Sequence, residues 1–135
     1  MPTTTVAAII LSSDTPARIL LTRRNIPPFK GQWCLPGGHI DQYEPAKEAV
    51  IREVAEETGL SFEAHFFAFF DEIIPESNIH AVVLAFAGAG GGSLKAQIEE
   101  VSEIGWFSLE EARSLPLAFT HNEILNRYHA QGATP

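Results

Sequence analysis

The first apolar run, Val6-Ala7-Ala8-Ile9-Ile10-Leu11, is continuous and rich in β-branched residues, the pattern of a strand covered on both faces. Turn residues fill 12–16, and 18–22 read as a second strand ending at Arg23-Arg24-Asn25. Pro27-Pro28 and Gly31 make the next stretch a loop; 33–35 form a short extended segment before Pro36-Gly37-Gly38. From 45 to 58 the apolar spacing becomes helical, with Pro45 suited to the first turn and Gly59 to the position just past the end. Aromatic and β-branched residues over 62–74 predict a strand, 75–78 a turn, and 79–87 the return strand. The glycine-rich stretch 88–93 reads as a mobile loop, and 101–107 as a last strand. Ser108 and Glu111 have capping-box spacing for a short helix, and Thr120 is placed to cap a terminal helix over 121–130.

This order, strands then a central helix then strands and helices, predicts one α/β or α+β domain over 1–135, a mixed sheet covered by helices. The length of 135 residues and an apolar share of 45% allow a core without disulfides. Cys34 is the sole cysteine and the first residues lack the basic stretch of a signal peptide, which points to a reducing cytoplasm. The apolar runs are too short to span a membrane. A net charge of −8 argues against a general nucleic-acid binder, and a phosphorylated ligand needs intervening cations or local basic groups.

The placement of the acidic residues is therefore informative. On a helix, Glu53, Glu56 and Glu57 share one face, and Glu53 and Glu57 continue the stripe of Ala46, Ala49 and Val50 that should pack inward. Crowded inward carboxylates repel one another and lose hydration. A divalent ion with a taste for oxygen ligands, Mg²⁺ or Mn²⁺, compensates both effects and can bridge an acidic protein to a diphosphate. The plain alternative is a solvated acidic face with Arg52 as a local ion-pair partner.

The whole stretch narrows the choice. Gly38, five residues, Glu44, seven residues, then Arg52-Glu53-Val54-Ala55-Glu56-Glu57-Thr58-Gly59-Leu60 resembles the Nudix box at its defining positions. Trp33 to Gly38 resembles the family's lead-in, and Glu103 to Phe107 its late strand; Tyr43 stands where relatives often carry glycine. The resemblance implies a Nudix α/β/α sandwich and hydrolysis of a nucleoside diphosphate derivative. It implies metal ligation by Glu53, Glu56, Glu57 and the Gly37 carbonyl, with Arg52 orienting the carboxylates and Glu44 tying the loop to the helix. A further glutamate, Glu100 before Glu99 or Glu103, is implied as ligand or base, so Glu53 or Glu100 could take the proton from the attacking water.

Relatives place a phosphate-contacting arginine near the end of the second strand. Neighbouring strand residues face opposite ways, so one of Arg23 and Arg24 is expected at the site, with Arg23 preferred. Trp33 could stack on a base or fill the core, and Phe119 could wall a ligand. Pro75, fifteen residues beyond Leu60, and the segment 117–125 resemble features of ADP-ribose-handling relatives, although a hairpin-turn proline is the stronger reading of Pro75 alone, and helix capping with core packing is the plain reading of 117–125. The expected partner is thus a small nucleotide diphosphate derivative, ADP-ribose or a nucleotide sugar, acted on by a monomer or homodimer. A triphosphate pyrophosphohydrolase is the rival within the class, and a non-catalytic nucleotide sensor the rival outside it.

Overall fold

The computed structural model describes residues 1–95 and 99–132. Eight strands form the sheet: β1 (Thr3–Leu11), β2 (Ile19–Arg24), β3 (Trp33–Cys34), β4 (Gly37–His39), β5 (Ser61–Phe62), β6 (His65–Ile74), β7 (Ile79–Gly91) and β8 (Val101–Phe107). Helices α1 (Ala46–Thr58), α2 (Leu109–Ser114) and α3 (His121–Ala130) cover it. Strand β1 runs parallel to β7 and antiparallel to β4, while β6 flanks β7 and β8 flanks β2.

The two-residue period of the central strands builds two cores. Val6, Ala8, Ile10 and Leu20 pack with Ala49, Val50 and Val54 of α1. Ala7, Ile9, Ile19 and Leu21 turn the other way, onto Ile124, Leu125 and Tyr128 of α3. The continuous apolar run at 6–11 follows from this: both faces of β1 are dry. The result is an α/β/α sandwich with a mixed sheet, and no helix among the described residues is long and apolar enough to cross a membrane.

What positions the functional cleft is a fork. β1 and β2 pair only at Leu11 and Ile19 and then diverge. The segment 33–39 fills the opening: Cys34 and Trp33 pair with Thr22 and Arg23, whereas Gly37, Gly38 and His39 pair with Ala7, Val6 and Thr5. A side chain at Gly37 would collide with the Val6 carbonyl, so this approach requires glycine.

Several expectations change at this level. Gly37, Gly38 and His39, for which no element is predicted, form β4. The strand expected over 62–74 breaks at Glu63 and Ala64, and the residues beyond Ala87 continue β7 to Gly91 rather than looping. Their glycines fit there because Gly90 lies against Ile10 and Leu60, where a Cβ has no room. The Ser108–Glu111 capping box is present, with bonds of 2.9 and 3.0 Å. Thr120 precedes α3 but does not cap it; its hydroxyl donates to Glu72 instead, at 2.7 Å. Residues 133–135 of the expected domain lie outside the described residues.

Tyr43 occupies the third position of the turn closed by Glu44 N–H to the Asp41 carbonyl, with a φ of 64° and its ring almost wholly exposed. That left-handed conformation favours glycine. Tyr43→Gly should therefore stabilise the protein by about 1 kcal/mol, the left-handed penalty of roughly 1–2 kcal/mol less the entropy glycine adds to the unfolded chain. Urea midpoints of the two proteins measure it; an unchanged or lower midpoint contradicts the assignment.

Candidate active site

Helix α1 begins after Pro45 and ends at Gly59, whose φ of 79° is the left-handed stop that glycine supplies. Within it, Glu53 and Glu57 are one turn apart and flank the buried stripe of Ala49, Val50 and Val54. Their carboxyl groups are set against each other, with the Gly37 amide beside Glu57. Burial pushes the pKa of both upward; for Glu57 the neighbouring Glu53 and the charge of Glu100 push further, so it stands well above the usual carboxylate range. Two carboxyls in this contact share a proton unless a cation replaces it. A side chain at Gly38 would strike the Glu53 carboxylate, so that glycine leaves the space the carboxylate fills.

Arg52 organises the surroundings. Its guanidinium donates to both oxygens of Glu44 (2.8 and 3.0 Å), to the His39 carbonyl (3.1 Å), to Glu56 (3.0 Å) and to Glu53 (3.3 Å). The bond from Arg52, helped by the Asp41 amide, holds the Glu44 carboxyl below its ordinary pKa; Arg52 itself is raised, chiefly by Glu44. Arg52 thus ties the loop before α1 to the helix and bonds Glu53. Glu56 is different. Its rotation of about 100° from Glu57 carries it off the inward stripe, and it lies largely exposed, paired with Arg52 and outside the cleft lining.

The fork opens into a cleft of about 960 Å³, lined by Glu53, Glu57 and Glu100 and by the backbone of Gly37 and Gly38. Among the described residues no group of three or more acidic, histidine or cysteine side chains already converges as a metal cage. The donor set nonetheless fits a hard divalent ion: oxygen atoms only, with the Glu53–Glu57 contact and the facing charge of Glu100 in need of a positive partner. Glu103, one competitor of Glu100, is instead tied to Arg23 at 2.7 Å, and the Glu99 side chain is not part of the lining.

The preference for Arg23 is corrected by the register of β2. Thr22 and Arg24 point into the cleft, and Arg23 points to the opposite side, bonded to Glu103 and to the Gly31 carbonyl. Strand alternation makes that choice. Arg24 is held by the Pro28 carbonyl at 2.7 Å, and its guanidinium lies 4.8 Å from the centre of the Phe119 ring. Phe119 lines the cleft with a φ of 58° and meets Phe29 edge-on at 5.0 Å. Trp33, beside Arg23 in register, is partly buried and packs on Phe107 at 5.1 Å against the α3-side core.

Two further lining groups are shifted by burial. Burial pushes the Cys34 thiol up to about 11. His121 is buried and accepts the Leu35 N–H on Nδ1 at 2.9 Å; burial, with the nearby charge of Arg24, brings its pKa down to about 3. It fastens the start of α3 to the segment leading into Gly37. Glu72, buried in the wall, was not singled out by sequence, although an acidic residue continuing the inward alternation of Ala68 and Phe70 was a readable signal.

The chain belongs to the NUDIX domain family, whose model matches residues 1–128. It is 36% identical over 114 residues to an ADP-ribose pyrophosphatase of Methanocaldococcus jannaschii; the match covers 82% of this chain but only 65% of that relative's length. Its fold matches a MutT NUDIX hydrolase of Burkholderia pseudomallei with a TM-score of 0.83 at 30% identity, over 93% of this chain and 97% of the other. It also matches the NUDIX domain of Shewanella oneidensis NrtR, solved with ADP ribose, with a TM-score of 0.85 at 26% identity, over 97% and 88%.

His121 makes stability depend on pH in a definite direction. Its folded pKa of about 3 lies below the 6.5 of the free side chain, so the unfolded chain binds the extra proton between those values. Its contribution is complete above about 6.5 and is lost progressively as pH falls toward 3. By roughly pH 4.5 the loss is on the order of 2–3 kcal/mol. Urea midpoints across this range should fall more steeply for the wild type than for His121→Asn, whose amide oxygen can still accept from Leu35. Parallel slopes would contradict a buried neutral imidazole.

Proposed function

We propose that the protein is a divalent-metal-dependent pyrophosphohydrolase that cleaves the diphosphate linkage of ADP-ribose or a closely related nucleotide sugar. The observation that carries this reading is the Glu53–Glu57 contact, set in a cleft that also holds Glu100, Arg24 and Phe119. The ADP-ribose-cleaving relative and the ADP-ribose-bound domain support the substrate.

Glu53, Glu57 and Glu100, with the Gly37 carbonyl, would hold the ion, Mg²⁺ or Mn²⁺ in its place. Glu56 would join them by leaving Arg52. The ion when bound supplies positive charge and Lewis acidity at the diphosphate. The residues do the rest. Arg52 keeps Glu53 from rotating away, and Arg24 offers a cation to a phosphate in an acidic molecule. Glu53 or Glu100 takes a proton from the attacking water as its oxygen bonds to phosphorus. The bond to the bridging oxygen breaks, and the leaving phosphate carries away the electron pair, giving AMP and ribose 5-phosphate. In-line placement of water and leaving group supplies much of the rate.

Adding Mg²⁺ should raise the melting temperature, since a ligand of the folded state stabilises it. Glu57→Gln should abolish that rise and cut turnover by about 10³-fold or more while preserving the fold, because it removes a ligand charge. Full activity after exhaustive chelation contradicts metal dependence. A steady-state panel of ADP-ribose, nucleotide sugars and common and oxidised triphosphates should give ADP-ribose the highest kcat/KM, with Phe119→Ala lowering it more than it lowers stability. A triphosphate preferred tenfold, about 1.4 kcal/mol in the transition state, overturns the substrate and favours nucleotide clearance. Tight ADP-ribose binding without turnover favours a sensor.

A further inference from the structure

The cleft extends past the carboxylates of α1 to a second acidic group of different character. On the α3 face of the sheet, Thr3, Ala81 and Glu72 stand side by side in register across β1, β7 and β6, and all line the cleft. Thr5 and Val83 form the next row. Phe119 and His121 stand at the start of α3 beside this floor. Strand β4, which carries Gly37 and Gly38, lies three strand spacings from β6, roughly 14 Å. Glu72 therefore meets a different part of any bound molecule from the part that Glu53 and Glu57 meet.

Glu72 is 4% exposed. One of its oxygens, Oε2, accepts from the Thr120 hydroxyl at 2.7 Å and the Thr120 amide at 3.1 Å. Through those bonds it fixes the residue next to Phe119, whose left-handed backbone is not one that phenylalanine prefers. The other oxygen, Oε1, has no hydrogen-bond partner among the described residues. No fully buried polar side-chain atom among those residues lacks a partner, so Oε1 opens on the cleft. A carboxylate oxygen in so dry a wall is an acceptor without a donor. It repels phosphate, and it rewards a hydroxyl or amine.

We propose that Glu72 is a specificity-determining residue, whose free oxygen accepts a hydrogen bond from a hydroxyl or amino group at the nucleoside end of the substrate. Arg24 and the α1 carboxylates then deal with the diphosphate, and Glu72 reads what lies beyond it. This inference rests on the nucleotide-hydrolase reading above. The shared chemistry is a donor on the nucleoside, with two sources: the exocyclic amine of adenine or a ribose hydroxyl.

The test compares wild type with Glu72→Gln, which keeps the side-chain shape and an acceptor for Thr120. With Mg²⁺ and ADP-ribose, KM should rise tenfold or more in Glu72→Gln, with kcat changed far less and the melting temperature nearly kept. Two analogues locate the donor: the hypoxanthine counterpart, which lacks the amine, and the 2′-deoxyadenosine counterpart, which lacks a ribose hydroxyl. One of them should be tenfold poorer for wild type and equal to ADP-ribose for Glu72→Gln. An active wild type whose Glu72→Gln variant keeps KM, or melts much lower with KM unchanged, overturns the proposal and leaves Glu72 a structural tie for Thr120. Analogues that behave alike in both proteins also overturn it. A wild type that neither binds nor cleaves any nucleoside diphosphate derivative overturns the functional reading, and this inference with it.

Discussion

Two carboxyl groups brought together at the edge of a dry helix face set the terms for the rest of the molecule. Burial and mutual repulsion both act against Glu53 and Glu57. Nothing about helix propensity asks for them there; alanine or valine would pack better. What holds them is structure around them: Val54 and Ala49 seated on the sheet, and Arg52 on Glu53. The arrangement stores an electrostatic need that a divalent cation would meet.

The fork between β1 and β2 turns that local need into a site. Had the two strands paired along their length, α1 and α3 would be separated by continuous sheet. Because they part beyond Leu11 and Ile19, the segment 33–39 enters the gap, and residues from both faces line one cleft. Charge is then distributed along it: acidic groups at α1, the Arg24 cation against Phe119, and Glu72 beyond. Arg23 and Glu103 neutralise each other on the opposite side of β2, so the cleft owes its single strand-end cation to alternation.

Much of this was legible in the sequence. The limits of α1 follow from Pro45 and Gly59, local signals, and β8 spans the 101–107 expected for the last strand. The box glutamates were legible because their spacing matches the helical period. What the sequence hid depends on non-local pairing. Gly37 and Gly38 carry no strand signal until β1 is beside them, and the glycines after Ala87 read as a loop until β5 and Ile10 are. The choice between Arg23 and Arg24 turned on register, which a pair of identical residues cannot reveal. Thr120 looked like a cap because its preferred partner, Glu72, is distant in sequence.

The unfavourable backbone conformations gather at the same place. Among the described residues, the non-glycine positions with positive φ are Phe29, Tyr43, Asn78 and Phe119. Asn78 and Phe119 line the cleft, Phe29 packs on Phe119, and Tyr43 shapes the turn that delivers Glu44 to Arg52. Asparagine tolerates this region; phenylalanine and tyrosine adopt it at a cost of roughly 1–2 kcal/mol each. Phe119 keeps it because Glu72, Phe29 and Arg24 hold its neighbourhood. Relieving that strain with glycine would also free the wall it forms, so the cost in stability is tied to a preformed cleft. Tyr43 is the exception: its ring touches solvent, and the turn needs only the backbone.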